Sequence, residues 1–153
     1  MLFRSYPAIS WLDSYPAWSK DRAEILELLR REVRLLQVVK LVGPDALPDS
    51  QRFVIEVCEL FKNAFLQQNA FDNVDRYSSP GKQQRMLGLV LAYWRRGSEA
   101  IKRGVSIAEL RKLKVLGDIV KMKFTLSDDD ADGFGKLAAA LERAVARLEA
   151  VYA

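Results

Sequence analysis

The chemistry open to this sequence is limited first by which reactive side chains it holds. Among 153 residues there is one cysteine, Cys58, and no histidine. A Ser-His-Asp triad, a Cys-His dyad and a His-ligated metal site therefore have no residues to be built from. A phosphate-binding loop needs glycines closed by Lys and a hydroxyl residue, yet Gly135-Lys136 is followed by Leu137 and Gly81-Lys82 by Gln83. No G-x-G-x-x-G follows a strand-like run. Acids are plentiful, but no pair is set apart by its spacing for general acid–base work. These residues read as a chain that does not itself catalyse. Three unusual groupings are left: an aromatic opening with Tyr6-Pro7 and Tyr15-Pro16, a proline-flanked acidic turn from Asp45 to Asp49, and the amide-rich run Gln67-Gln68-Asn69-Ala70-Phe71.

Charge supplies a fourth candidate. The net charge is only +4, but from Arg95 to Lys123 nine basic residues face three acids, whereas residues 124–153 carry a local −3. Arg95, Arg96, Lys102, Arg103, Arg111, Lys112, Lys114, Lys121 and Lys123 could track phosphates, which makes a freestanding basic helical module for nucleic acid, or for a protein partner, the alternative reading. Against it, the charges span three elements and no recognition helix is evident. A solvated helix face gives the same pattern.

The elements that carry these groupings follow from periodicity. One domain is expected, since 153 residues with 50% hydrophobic composition can bury a core. The residue before each early proline is pushed toward extended backbone, so residues 1–18 read as an extended lead-in ahead of a bundle over 19–153. A first helix is expected over 19–42, burying Ile25, Leu28, Leu29, Leu36, Val39 and Val42. Gly43 and Pro44 stop it, and Pro48 with Asp49 starts a second helix that buries Phe53, Val54, Val57, Leu60, Phe61 and Ala64. So short a link makes the two an antiparallel hairpin. Arg52, Glu56, Glu59 and Asn63 should face water. After a polar loop, Ser79-Pro80 opens a third helix with Met86, Leu87, Val90, Leu91, Trp94 and Ile101 inward. Ser106 and Glu109 form a capping box for a short helix, another is expected over 115–121, and Ser127 should cap the last. Its stripe is Phe134, Leu137, Leu141, Val145, Leu148 and Tyr152. The fold class is all-α. No apolar run reaches the roughly 20 residues of a membrane span, no signal-peptide pattern opens the sequence, and Cys58 reads as a small core residue of a cytosolic protein.

Three stretches, in order, carry a resemblance: Tyr6-Pro7-Ala8-Ile9-Ser10-Trp11-Leu12, Leu41-Val42-Gly43-Pro44-Asp45-Ala46-Leu47-Pro48, and FLQQNAFDNVD over 65–75. Together with Tyr77-Ser78-Ser79-Pro80 and the Gly104-Val105-Ser106 turn, they resemble the C-terminal helical domain of the catalytic A subunit of V-type and archaeal-type rotary ATPases. The resemblance implies one domain of a larger polypeptide, whose preceding part holds the phosphate-binding loop, the catalytic carboxylate and ATP or ADP with Mg. These residues alone would hold no cofactor and hydrolyse nothing.

The resemblance also assigns roles. On residue type alone, Phe71 reads as a core aromatic pinning a loop and Tyr6 as packing on the bundle. By resemblance they face an adenine ring from two sides, with Ala70, Gln67 and Gln68 near it. Asp45, Ala46, Leu47, Pro48 and Asp49 then occupy the place of the acidic tip loop that pushes on the stalk in the related F-type beta subunit. On residue type alone that tip is also a well-capped turn with no partner. Implied partners are the central stalk, the non-catalytic B subunit, and the nucleotide-binding domain of the same polypeptide. No nucleic acid and no direct membrane insertion are implied, and the location is cytoplasmic, peripheral to a membrane.

Overall fold

Proline at a helix's first turn loses nothing, because its missing N–H would have had no partner there. That is how the first helix begins in the computed structural model, which describes residues 16–66 and 79–153, the side chains of Pro16, Ala17 and Leu66 excepted. Helix α1 spans Pro16–Val42, starting three residues before the expected Ser19. Pro16 acts as an initiator rather than as the end of an extended lead-in, and Trp18 is a buried core residue of the helix.

Gly43, at φ 85°, ends α1, and its N–H donates to the Val39 carbonyl at 2.9 Å. This is the left-handed stop that a glycine allows without a Cβ penalty. A single 3₁₀ turn, Pro44–Ala46, leads to Pro48, whose carbonyl accepts from Gln51 and Arg52 as the N-cap of helix α2, Asp49–Phe61. The expected hairpin is present, and α2 runs on as a π turn over Lys62–Leu66. Helix α3 covers Pro80–Lys102, capped by Ser79, whose Oγ accepts from Lys82 N at 3.1 Å. Gly104, at φ 98°, closes it. Helix α4, Ile107–Arg111, is capped by Ser106 Oγ accepting from Glu109 N.

Helix α5, Val115–Thr125, runs a full turn beyond the expected end at Lys121. Helix α6, Ala131–Tyr152, is capped not by Ser127 but by Asp130, whose Oδ1 accepts from Gly133 N at 2.8 Å. Gly133 is required there, since a Cβ would lie 2.4 Å from Asp130 Oδ2 and 2.6 Å from Leu126 Cδ2. Among the described residues there is no strand, and the domain is an all-α bundle.

The centre of the bundle is α3, packed by α1, α2, α5 and α6. All six apolar residues expected of the second helix are buried, and Met86, Leu87, Val90 and Leu91 of α3 are too. Phe53 is fully buried, edge-on to Tyr93 at 5.1 Å and stacked on Trp94 at 5.7 Å. Gly97 makes room for it: a Cβ at that position would sit 2.2 Å from Phe53 Cζ. Each such apolar side chain contributes roughly 1.5–3 kcal/mol by leaving water. Arg31 lays its guanidinium 5.6 Å over the Trp94 ring and Arg95 pairs with Asp21 and Glu24, so α3 crosses the first part of α1.

The second part of α1 departs from expectation. Ile25 and Leu28 are buried as the spacing predicts, but Leu36 and Val42 are exposed, with Val33, Val38 and Leu41 beside them. Leu41 is 85% exposed. Helical periodicity marks an apolar side but not how far along it a neighbour extends.

Candidate functional site

At the hairpin tip, sequence and geometry can be compared residue by residue. Asp45, Ala46 and Pro48 face outward, and the Asp45 side chain is 95% exposed. Leu47 turns inward and is 7% exposed, and its N–H donates to the Pro44 carbonyl. Asp49 is spent inside the domain: its Oδ2 accepts from Ile107 N at 3.0 Å, capping α4, while Oδ1 lies 3.7 Å from Arg52. Arg52 also lies 3.7 Å from Asp45. The tip is thus a braced turn that offers three of the five expected contact residues to a partner and uses Leu47 and Asp49 to hold itself. Exposed ion pairs of this kind contribute about 0–1 kcal/mol each, so the brace rests on the prolines, Leu47 and the Asp49 cap.

Tyr6, Gln67, Gln68, Ala70 and Phe71 lie outside the described residues. The structure does describe what flanks the segment 67–78 on both sides. Before it comes the π turn over Lys62–Leu66, a rare geometry. Glu32, 5% exposed on α1, accepts two hydrogen bonds from Lys62 Nζ at 2.6 and 2.8 Å. Phe61 and Phe65 stack at 4.9 Å. Lys123, on α5 and 4% exposed, donates from Nζ to the Asn63 carbonyl at 3.0 Å.

On the far side of the segment, fully buried Lys82 donates from Nζ to the Lys123 carbonyl at 2.9 Å. Asp128 Oδ2 accepts from Ser79 N at 3.0 Å, and Arg85 reaches the Asp128 carbonyl at 2.9 Å. Helix ends leave carbonyls without intrahelical partners, and a lysine there satisfies both the lone pair and the dipole.

Sequence reading missed these residues. One signal was available: Lys82 stands in the first turn of a helix, where the dipole disfavours a cation, so another partner must hold it. Glu32, one turn beyond Leu28 on the apolar side, gave a similar hint. The Lys123 pairing carried no sequence signal, because it joins residues 60 positions apart.

The basic stretch is largely neutralised. Arg95 pairs with Asp21 and Glu24, Arg96 with Glu99, Glu142 and Glu149, Arg103 with Glu149, Arg111 with Glu56 and Lys112 with Glu109. Lys123 is buried. Glu56, expected to face water, is mostly buried against Arg111, and burial pushes its carboxyl above the ordinary 4.5 although Arg111 opposes the shift. Burial, and the Glu56 carboxylate after it, push the Tyr93 hydroxyl up as well. Burial likewise pushes the Cys58 thiol up to about 12, which keeps it a protonated packing residue. No group of His, Cys, Asp and Glu among the described residues could hold a metal, and no helix among them is long and apolar enough to cross a membrane.

What the geometry defines is a helical-bundle domain with a braced, projecting hairpin. The family model for the C-terminal domain of V and A type ATP synthase matches residues 9–111. The V-type ATP synthase alpha chain of Halothermothrix orenii is 37% identical over 161 residues, covering 95% of this chain and 27% of its own length. The A subunit of the A-type ATP synthase of Methanopyrus kandleri is 43% identical over 136 residues (78% and 23%), and that of Thermococcus onnurineus 40% over 137 residues (79% and 23%). The chain belongs to this family, as the C-terminal domain of the A subunit. It spans about a quarter of the length of the relatives it matches.

Proposed function

We propose that this domain completes the adenine side of a nucleotide site in the catalytic subunit of a rotary ATPase and passes the resulting movement to a central stalk. ATP or ADP with Mg is held by the part of the subunit that precedes these residues. Tyr6 and Phe71 face the base from two sides, with Gln67, Gln68 and Ala70 beside it. The hinge lies within residues 1–15, ahead of α1 and its buried Trp18, and the bundle swings as one body in a domain-closure movement. The tip residues Asp45, Ala46 and Pro48 meet the stalk, with Leu47 and Asp49 bracing them. Further partners are the nucleotide-binding domain of the same polypeptide and the non-catalytic B subunit, in a complex that couples ATP synthesis or hydrolysis to ion transport. The domain lies on the cytoplasmic side, peripheral to the membrane.

The observation that carries this reading is the combination of family membership with an apolar hairpin end, Leu41 and Val42, that the domain leaves exposed at 85% and 61%. Stacking on an aromatic ring contributes roughly 1–3 kcal/mol per base, so Phe71→Ala in the complete subunit should weaken ATP binding by roughly tenfold or more. Unchanged affinity would remove Phe71 from the site. These residues alone should show no ATPase activity, and measurable turnover would sink the proposal.

A further inference from the structure

The two arms of the hairpin are not equally supported near the tip. Beside the α2 arm stands α4, a helix of five residues, far short of the roughly 12–15 at which a helix holds itself in water. Buried Ile107 and Leu110, 3% and 0% exposed, seat it in the core, and it packs on both α2 and α6. Two contacts tie it to α2. Asp49, in the first turn of α2, accepts from Ile107 N through Oδ2 at 3.0 Å, and Glu56, two turns further on, pairs with Arg111 Nε. Arg52 stands between them: it lies 3.7 Å from Asp45 and from Asp49, and its charge also acts on the Glu56 carboxylate. Charges therefore alternate from the tip to α4, in the order Asp45, Arg52, Glu56, Arg111. On the α1 arm, by contrast, Leu41 and Val42 are left in water.

We propose that α4 is the strut of the hairpin tip and Arg111 a positioning residue for coupling. Through Glu56 and the Asp49 cap, α4 holds the α2 arm against the bundle, and load on the tip passes to α6 instead of bending the hairpin. The inference rests on the stalk-contact reading above. Coupling between distant parts of a protein is carried by packed side chains, hydrogen-bond networks and rigid elements, and each link from Asp45 to α6 is of that kind. The Glu56–Arg111 pair suits a tie under load because the Glu56 side chain is only 18% exposed, so water competes poorly for its carboxylate.

The test uses the complete subunit assembled in its complex, in sealed vesicles. ATP hydrolysis and ion uptake, read with a pH dye and a sodium tracer, are followed together against opposing membrane potentials set by potassium and valinomycin. Arg111→Met keeps the stem and removes the guanidinium. It is expected to leave uptake per ATP parental at zero potential and to lower it by roughly twofold or more against a large opposing one. Arg111→Lys, which keeps a cation for Glu56, is expected to recover most of that loss. Lys112→Met, whose partner Glu109 lies on α4 itself, is expected to match the parent at every potential. If Arg111→Met does not assemble, Asp49→Ala, which removes the other tie, carries the test with the same expectation. Parental uptake per ATP at every potential in Arg111→Met or, failing that, in Asp49→Ala would overturn the strut. A loss of equal size at every potential would overturn it too, since a domain that is merely loosened does not respond to load. Leu41→Ser with Val42→Ser in the same vesicles separates the two ideas. If that pair lowers uptake per ATP while Arg111→Met does not, the strut alone is wrong; if the pair leaves it parental, the stalk-contact reading falls and the strut with it.

Discussion

Trp18, Ile25 and Leu28, on the first part of α1, are 8%, 3% and 2% exposed, while Leu41 and Val42 at its other end are 85% and 61% exposed. The residue types are alike and the helix is continuous, so propensity does not account for the contrast. At the base, α3 crosses α1, as the pairing of Arg95 with Asp21 and Glu24 shows, and Trp18, Ile25 and Leu28 are removed from water by the domain itself. Toward the tip the 3₁₀ turn packs back on α1, and Leu41 and Val42 stay in water. Apolar residues left in water there contribute little to folding. The base carries the buried core and the tip does not, and substitutions should sort accordingly.

The largest effect is expected at the base. Phe53→Ala removes a fully buried ring held by Tyr93, Trp94 and Gly97 and should cost about 3–5 kcal/mol in urea unfolding. A loss below about 1 kcal/mol would mean that the base is not the stability centre. Gly97→Ala should follow at about 1–3 kcal/mol, since its Cβ would meet Phe53 at 2.2 Å and the ring must shift.

A smaller, pH-dependent effect is expected midway along the hairpin at Glu56. Burial raises its carboxyl above 4.5 in the folded domain, so the folded state binds this proton more tightly than the unfolded chain does. Stability from this group is greatest below 4.5 and declines as pH rises through the folded value. Glu56→Gln should flatten the urea midpoint over the interval just above pH 4.5. An identical pH profile in the variant would assign the dependence to another group.

The smallest effect on stability is expected at the tip, where Leu41→Ser with Val42→Ser should leave the unfolding midpoint within about 0.5 kcal/mol. In the assembled complex the same pair should lower ATP-driven ion transport while leaving nucleotide affinity intact. Loss of stability without loss of transport would invert the base-and-tip comparison.

Much of the hairpin itself was legible beforehand. Gly43-Pro44 and Pro48-Asp49 mark the hairpin because one glycine supplies a positive φ and the prolines fix theirs, both local effects. Ser79 and Ser106 cap helices for equally local reasons. Ser127 failed as a cap because three acids follow it, and which of them meets a free N–H depends on Gly133 and on Ser79, the latter from another element. Pro16 was misplaced because a proline preceded by an aromatic fits the end of an extended run and the start of a helix equally well. At the candidate site, the tip was legible as a turn but not which of its residues face out. Leu47 and Asp49 are drawn in by the bundle and by α4.

By itself, the sequence determined the helices, the hairpin and the family, because periodicity, turn residues and motif wording are properties of adjacent positions. Only the tertiary structure decided where the apolar stripe of α1 stops being buried, which bases are cancelled by acids, and that Lys82 and Lys123 tie both flanks of one segment to α5. Those outcomes depend on residues dozens of positions apart meeting in space, where burial rather than residue type sets what each contact contributes.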